Sequence, residues 1–138
     1  MNKSLILIFS IFLFLSCDDK NDKIEPQNES VIINNSLYNK TITNNYTITD
    51  VKLIGNALTI KISVSGCDGN SWEAILVDAN EILESFPVQR NIKLALENKE
   101  ACLAVFEKEF TFDISVLKEG FSEVNLNLKG WNTQINYK

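Results

Sequence analysis

Apolar and polar residues alternate through most of the chain beyond residue 30, and this period of two restricts the fold more than any other feature. Four segments carry an apolar side chain at every second position: Leu58 to Val64, Ile92 to Leu96, Phe110 to Ile114 and Val124 to Leu128. In a β-strand this spacing places alternate side chains on opposite faces, so that one face packs on a core while the other meets water. The pattern therefore predicts half-buried strands.

Weaker alternation predicts four more strands, and turn-forming residues separate the segments. The added candidates are Tyr46 to Leu53, Ser71 to Val77, Ala101 to Phe106 and Trp131 to Tyr137. The helix candidates, Asn80 to Ser85 and Ser115 to Glu119, are both short. Many short strands without intervening long helices are typical of all-β domains. We expect residues 31–138 to form an immunoglobulin-like antiparallel β-sandwich of about seven to eight strands.

The N-terminus has the pattern of a secretory leader. Lys3 supplies a positive charge, and Leu5 to Leu15 are apolar except for Ser10. Eleven helical residues rise only about 16 Å at ~1.5 Å each, whereas a bilayer core is about 30 Å thick. We expect residues 1–16 to be a removed signal peptide and residues 17–30 to be a flexible, acidic tether.

The end of the leader resembles a bacterial lipobox. Phe14-Leu15-Ser16-Cys17 has the small residue and the cysteine of that motif, although Leu is commoner where Phe14 stands. The resemblance implies cleavage before Cys17 and a lipid on its thiol, which would hold the protein at a membrane; an ordinary signal peptide is the alternative. The acidic run that follows resembles the surface-display signal of Bacteroidota lipoproteins; the alternative is inner-membrane retention, because an Asp directly after the Cys resembles the retention signal of enterobacterial lipoproteins. We therefore expect an outer-membrane location in the bacterial envelope, with exposure at the cell surface.

The charge of the chain argues against nucleic acid as a partner. The formal net charge is −5, and removal of the leader with Lys3 leaves 12 basic and 18 acidic residues, a charge of −6. A protein that binds nucleic acid presents a basic surface. The remaining length suits one small domain with a single core.

The cysteines of the mature chain form a possible pair. With Cys17 lipidated, Cys67 and Cys102 are left in an exported protein, a setting in which disulfides persist. Two buried free thiols and a redox site are the alternatives. A reactive thiol needs an electropositive neighbourhood or a histidine partner, and the chain contains no histidine. We expect the Cys67–Cys102 disulfide.

The absence of histidine also removes several enzyme mechanisms. Ser–His–Asp and Cys–His catalysis and histidine zinc sites all require the missing side chain. Paired carboxylates such as Glu81 and Glu84, or Glu107 and Glu109, leave a carboxylate hydrolase as an alternative. We expect a protein that is not an enzyme and needs no cofactor.

The segment Cys67 to Glu73 has the densest potential for binding. Asp68 and Asn70 are spaced like the first two ligands of a calcium loop, but Trp72 occupies the third ligand position, so no metal site is expected. We call the residues Asp68, Asn70 and Trp72 the speculative binding group. Trp72 and Trp131 are either platforms for sugars or core residues, and core packing is the alternative that their apolar neighbours favour.

Residues 57–138 resemble, as a pattern, uncharacterised small lipoproteins of the Bacteroidota. The matching features are Ser65-Gly66-Cys67, Ser71-Trp72-Glu73, Phe86-Pro87, Asn98 to Cys102 and Asn127-Leu128-Lys129-Gly130. The resemblance implies an envelope location and a fold, without an activity. We expect a non-catalytic binding or structural role in the envelope; a surface module that binds a glycan or an envelope protein is the alternative.

Overall fold

The structure is a computed structural model that describes residues 28–138. The predicted signal peptide, the lipidation site Cys17 and most of the predicted tether lie outside the described residues. Strand pairing is already present at Asn28, the first described residue, ahead of the predicted domain start at Val31.

Within residues 28–138, nine strands build two sheets, which confirms the expected all-β sandwich. The strands are β1 (Asn28–Glu29), β2 (Val31–Ile33), β3 (Thr47–Ile54), β4 (Ala57–Gly66), β5 (Glu73–Leu83), β6 (Val88–Glu97), β7 (Ala104–Asp113), β8 (Val124–Leu128) and β9 (Ile135–Tyr137). The first sheet has the order β1-β7-β4-β3, and the second has the order β2-β5-β6-β8-β9. Two of the long central strands, β4 and β6, contain segments whose alternation is clearest in the sequence.

The sequence pattern predicts antiparallel pairing throughout, but three of the pairings are parallel. β1 pairs in parallel with β7, β2 with β5, and β6 with β8. The first two arise because the N-terminal segment changes sheets at Ser30, whose carbonyl accepts a hydrogen bond from Leu76 N at 3.0 Å. The segment thereby joins the two sheets along one side of the sandwich.

The core lies between the sheets and is formed by the apolar positions of the alternating segments. Its fully buried members include Leu58, Ile60 and Ile62 of β4 and Ile92 and Leu94 of β6. Burial of a side chain of this size contributes about 1.5–3 kcal/mol. The same alternation places polar side chains on the outer faces, where the candidate sites are found.

Two helical elements differ from the sequence expectation. The predicted helix at Asn80 to Ser85 is wrong: β5 continues to Leu83, with an irregularity between Asp78 and Ile82 where Asn80 has φ 55°. A helix instead forms earlier, α1 (Asn35–Lys40), and Asn34 caps it by accepting from Leu37 N at 2.9 Å. The other predicted helix, Ser115 to Glu119, is present as a 3-10 helix at Ser115–Lys118. Within residues 28–138 no helix has the length and apolar character needed to cross a bilayer.

One ion pair is buried in the core. Asp78 of β5 and Arg90 of β6, the single arginine of the chain, form two hydrogen bonds, Nε to Oδ2 at 2.9 Å and Nη2 to Oδ1 at 2.7 Å. Asp78 Oδ1 also accepts from the backbone N–H of Asn80 at 2.8 Å. The pair thus ties the irregular part of β5 to its neighbour, and the two-point geometry suits arginine rather than lysine.

Candidate functional site

A glutamate organises the loop between β4 and β5. Glu100 Oε2 accepts hydrogen bonds from the backbone N–H groups of Cys67 at 2.6 Å, Asp68 at 3.2 Å and Gly69 at 3.2 Å. Glu100 Oε1 accepts from Ser71 Oγ at 2.7 Å. Successive N–H groups that converge in this way form an anion-binding concavity, and here a carboxylate of the same chain occupies it.

These hydrogen bonds determine the ionisation of Glu100. Removal of the carboxyl group from water would raise its pKa, but the donors at Ser71, Cys67, Gly69 and Asp68 outweigh that effect and lower the pKa to about 2. Donors that bind the charged form favour it over the neutral form. Glu100 is therefore ionised throughout the physiological range and keeps the loop in place.

A disulfide fixes the same region covalently. Cys67 and Cys102 are bonded across a sequence separation of 35, which confirms the expected pair. Asn98 adds two more contacts, since its Nδ2 donates to Ser65 O at 2.8 Å and its Oδ1 accepts from Glu100 N at 2.8 Å. The segment that leads from β6 to β7 is thus attached to the end of β4 at several points.

A lysine holds the other side of the loop. Lys108 Nζ donates to Gly69 O at 2.8 Å and to Trp72 O at 3.2 Å. Gly66 lies between Glu100 and Trp72, and a Cβ built on it would stand 2.5 Å from Glu100 Oε2 and 2.5 Å from Trp72 Cζ2. Only glycine fits at this position, because a methyl group would have to displace one of the two side chains.

The structure separates the three residues of the speculative binding group. Asp68 and Asn70 are exposed, and Asp68 Oδ1 accepts from Asn70 N at 2.9 Å, which closes a local turn. Trp72 is 3% exposed and belongs to the core cluster. This burial favours the core alternative and removes the indole of Trp72 from any ligand contact. Within the described part of the chain, no three acidic or cysteine side chains gather as metal ligands would.

The residues that follow the disulfide form an exposed apolar surface. Leu103 is 91% exposed, Val105 66% and Phe106 37%. We call these three residues the apolar tip. All residues from 101 to 107 are exposed although their side chains alternate between the two faces of the strand, so the start of β7 projects beyond the second sheet.

Within residues 28–138, the tip belongs to a strand with one open edge. Of β7, only Thr111 and Phe112 are paired with β1, so Ala104 to Phe110 have no strand neighbour on the side away from β4 among residues 28–138. Val105 also borders a shallow recess of about 480 Å³, which is lined further by Tyr46, Ser63 and Asn98 among others. An open edge beside exposed apolar side chains is a template for pairing with another polypeptide.

A second concave feature lies on the outer face of the other sheet. It is a groove of about 380 Å³ bordered by Tyr38 of α1, by Asn91 and Asn127 of β6 and β8, and by the segment from Leu128 to Gln134. We call it the amide groove. Trp131, which the sequence placed on a strand, instead precedes β9 and is half-buried at this groove.

Sequence reasoning found neither the apolar tip nor the amide groove. The sequence predicts an ordinary half-buried strand that includes Leu103 to Phe106, because alternation does not reveal where one sheet projects past the other. The groove residues come from α1, β6, β8 and the turn before β9, and only the sheet order brings them together.

Comparisons with known proteins give the fold alone. No protein-family model matches the chain, and no curated protein matches it in sequence. Three solved structures are similar. A NigD-like immunity protein from Bacteroides caccae has a TM-score of 0.57 and 10% identity, and the match covers 79% of this chain and 58% of that chain. A protein of unknown function from Bacteroides vulgatus has a TM-score of 0.51 and 13% identity, with 80% and 55% covered, and a toxin-related protein from Parabacteroides distasonis has a TM-score of 0.50 and 12% identity, with 80% and 61% covered.

The match is partial in length as well as weak in sequence. This chain spans 55–61% of the three structures that it matches. All three come from Bacteroides or Parabacteroides, which agrees with the expected resemblance to uncharacterised Bacteroidota proteins. The chain therefore has a two-sheet β-sandwich fold that is also found in solved proteins of these bacteria.

Proposed function

We propose that the protein is a lipid-anchored envelope protein that binds, without catalysing a reaction, an extended segment of another polypeptide at the apolar tip. The observation that carries the proposal is the position of Leu103, which is 91% exposed directly after a cysteine held by a disulfide. A large apolar side chain in water contributes nothing to stability, whereas the same side chain at the centre of an interface can dominate binding.

The surroundings of the tip reduce the entropy cost of binding. The disulfide, the contacts of Asn98 and the four hydrogen bonds of Glu100 fix the segment that enters β7. A surface that is already held in its bound conformation loses less freedom when a partner arrives. The tip is therefore suited to recognition.

The chemistry of the edge indicates the kind of partner. The open edge offers backbone N–H and C=O groups, and a strand added there would be held by main-chain hydrogen bonds. Beyond Val105, the next outward-facing residues of β7 are Glu107 and Glu109, both exposed. A complementary segment carries apolar side chains opposite the tip and a basic side chain opposite Glu109, because Glu107 already pairs with Lys61 at 2.9 Å.

The names of two structural neighbours are compatible with a role in protein recognition. One is described as a NigD-like immunity protein and another as toxin-related. At 10% and 12% identity these names supply a context for the proposal and no residue-level argument. The proposal depends on the tip.

The lipid anchor has its own test. Intact-mass measurement of the native protein should give a chain that begins at Cys17 with the added mass of acyl groups. Reductant should increase that mass by two hydrogen atoms, because it opens the disulfide. Cys17→Ser should remove the added mass of the acyl groups. An unmodified mature N-terminus would refute the anchor and leave the tip proposal intact.

Peptide binding tests the tip directly. The detergent-solubilised mature protein is applied to an array of extended peptides that alternate apolar and basic residues. We expect a subset of peptides to bind, and Val105→Asp to lower their affinity at least tenfold. Ile54→Asp is the matched control, because Ile54 is 78% exposed at the opposite end of the same sheet. Binding that survives Val105→Asp, or an array without binders, contradicts the proposal.

A further inference from the structure

The amide groove contains a network of side-chain amides that hold one another in fixed orientations. Asn127 Nδ2 donates to Gln89 Oε1 at 3.1 Å and to Asn91 Oδ1 at 3.2 Å. Gln134 Nε2 donates to Gln89 Oε1 at 3.0 Å and to Asn127 Oδ1 at 2.9 Å. Both donors of Asn127 and of Gln134 are therefore engaged within the protein, which fixes the rotamers and the direction of each amide.

The network leaves complementary polar groups at the groove. Among residues 28–138, Asn91 Nδ2 and Gln134 Oε1 have no protein partner, and neither do the side chains of Asn132 and Thr133. An amide donor and an amide acceptor are thus presented by side chains whose other atoms are already bonded. A ligand that both donates and accepts hydrogen bonds, such as a hydroxyl group, satisfies both.

Aromatic side chains stand on the borders of the same groove. Tyr38 and Trp131 both line it, and each is half-buried, so that part of its surface is fixed by packing while part is open. Lys93 Nζ lies 4.3 Å from the ring centroid of Tyr38 and helps to fix that ring. Aromatic surfaces pack well against the C–H faces of sugar rings, which are apolar although their hydroxyl groups are not.

The charge of the groove restricts the ligand further. Its lining includes no carboxylate and a single cation, the exposed Lys129. The volume of about 380 Å³ falls at the lower end of the range for small-molecule sites, which is about 300–1,000 Å³. Fixed amides, two aromatic borders and little charge together match a neutral ligand that is rich in hydroxyl groups.

We propose that the amide groove, bordered by Tyr38 and Trp131, binds a neutral oligosaccharide, with Asn91 and Gln134 as the main hydrogen-bonding residues. This site lies on the sheet that does not contain β7, so it is separate from the apolar tip and does not depend on it. The protein would then engage a glycan and a polypeptide on different surfaces.

Titration with neutral hexasaccharides tests the inference. The probes are α- and β-linked hexaoses of glucose, mannose and xylose, added to isotope-labelled full-length mature protein while side-chain amide and indole resonances are followed by NMR. We expect at least one probe to give saturable shifts of Asn91, Gln134 and the Trp131 indole. Gln134→Ala should weaken that binding at least tenfold, and Trp131→Ala should do the same.

Controls keep the outcome decisive. Asn136→Ala removes an amide of the same face that is bonded to Asn125 and lies outside the groove, so it should leave affinity unchanged. Since Trp131 packs in part on the core, the exposed Gln134 provides the variant that leaves the fold intact. Failure of every neutral hexaose to shift these resonances overturns the inference. So does preferential binding of a uronic-acid hexaose that Lys129→Ala abolishes.

Discussion

The carboxylate of Glu100 lies 2.6 Å from the backbone nitrogen of Cys67, 33 residues earlier in the chain. This contact and the Cys67–Cys102 disulfide join the same two segments, one non-covalently and one covalently. Because Leu103 follows the second cysteine at once, the order of the loop and the presentation of the apolar tip depend on each other.

Glu100 should make part of the stability of the protein dependent on acid. Its pKa is lowered from 4.5 to about 2 in the folded state, so the unfolded chain binds the proton first as the pH falls. The stability from ionised Glu100 is complete above pH ~4.5 and is lost progressively between pH ~4.5 and ~2. The difference in unfolding free energy between wild type and Glu100→Gln should shrink across this window. Urea titrations at several pH values measure it, and Glu84→Gln, at an exposed residue, is the control.

Loss of the disulfide should destabilise the fold without abolishing it. For a separation of 35 residues, closure of the loop in the unfolded chain is worth about 3–4 kcal/mol. The double variant Cys67→Ser, Cys102→Ser should lose about that amount in urea unfolding, and reduction of the wild type should reproduce the value. An unchanged midpoint would contradict stabilisation by loop closure.

The buried ion pair should behave asymmetrically under mutation. Arg90→Met leaves Asp78 in the core without its cation, and we expect a loss of about 3–5 kcal/mol. In the double variant Asp78→Asn, Arg90→Met no buried charge remains, so a large part of that loss should be recovered. Thermal unfolding of wild type, both single variants and the double variant decides the point. Additive losses from the two substitutions would contradict it.

Gly66 should tolerate no side chain. A Cβ there would stand 2.5 Å from both Glu100 Oε2 and Trp72 Cζ2, so Gly66→Ala should cost about 1–3 kcal/mol. The tryptophan fluorescence should shift to the red because the displaced indole of Trp72 meets water. Ser65→Ala, at the exposed neighbouring position, should change neither quantity. Equal spectra for the two variants would refute the close packing at Gly66.

The sequence predicts the sandwich well because the alternation that marks the buried face of each strand is a local property of the chain. Leu58 to Val64 and Val124 to Leu128 lie in strands of nearly the expected bounds. The disulfide was predicted from the number of cysteines and from the expected export of the chain, because disulfides persist in exported proteins. What alternation cannot reveal is strand direction, and the parallel pairings of β1, β2 and β6 with their neighbours were therefore missed.

The sites were harder to predict because they depend on long-range placement. Glu100 has no sequence feature that marks it as the partner of Cys67, since the pairing requires β4 and β7 to lie side by side. The sequence predicts a helix at Asn80 to Ser85 because the bulge after Asp78 interrupts the period of two. The side chains of Leu103 and Trp131 are apolar, like those of core residues. Their exposure depends on where the sheets end, which the sequence does not show.

Site-specific photo-crosslinking in intact envelopes tests the central claim most directly, namely that the apolar tip is a recognition surface. A photo-reactive amino acid is placed at Leu103 of the full chain, and at Ile54, equally apolar and exposed, as the control. We predict a discrete protein adduct from position 103 that Val105→Asp in the same chain removes, with no such adduct from position 54. The absence of an adduct at 103, or the same adducts from both positions, would contradict the account.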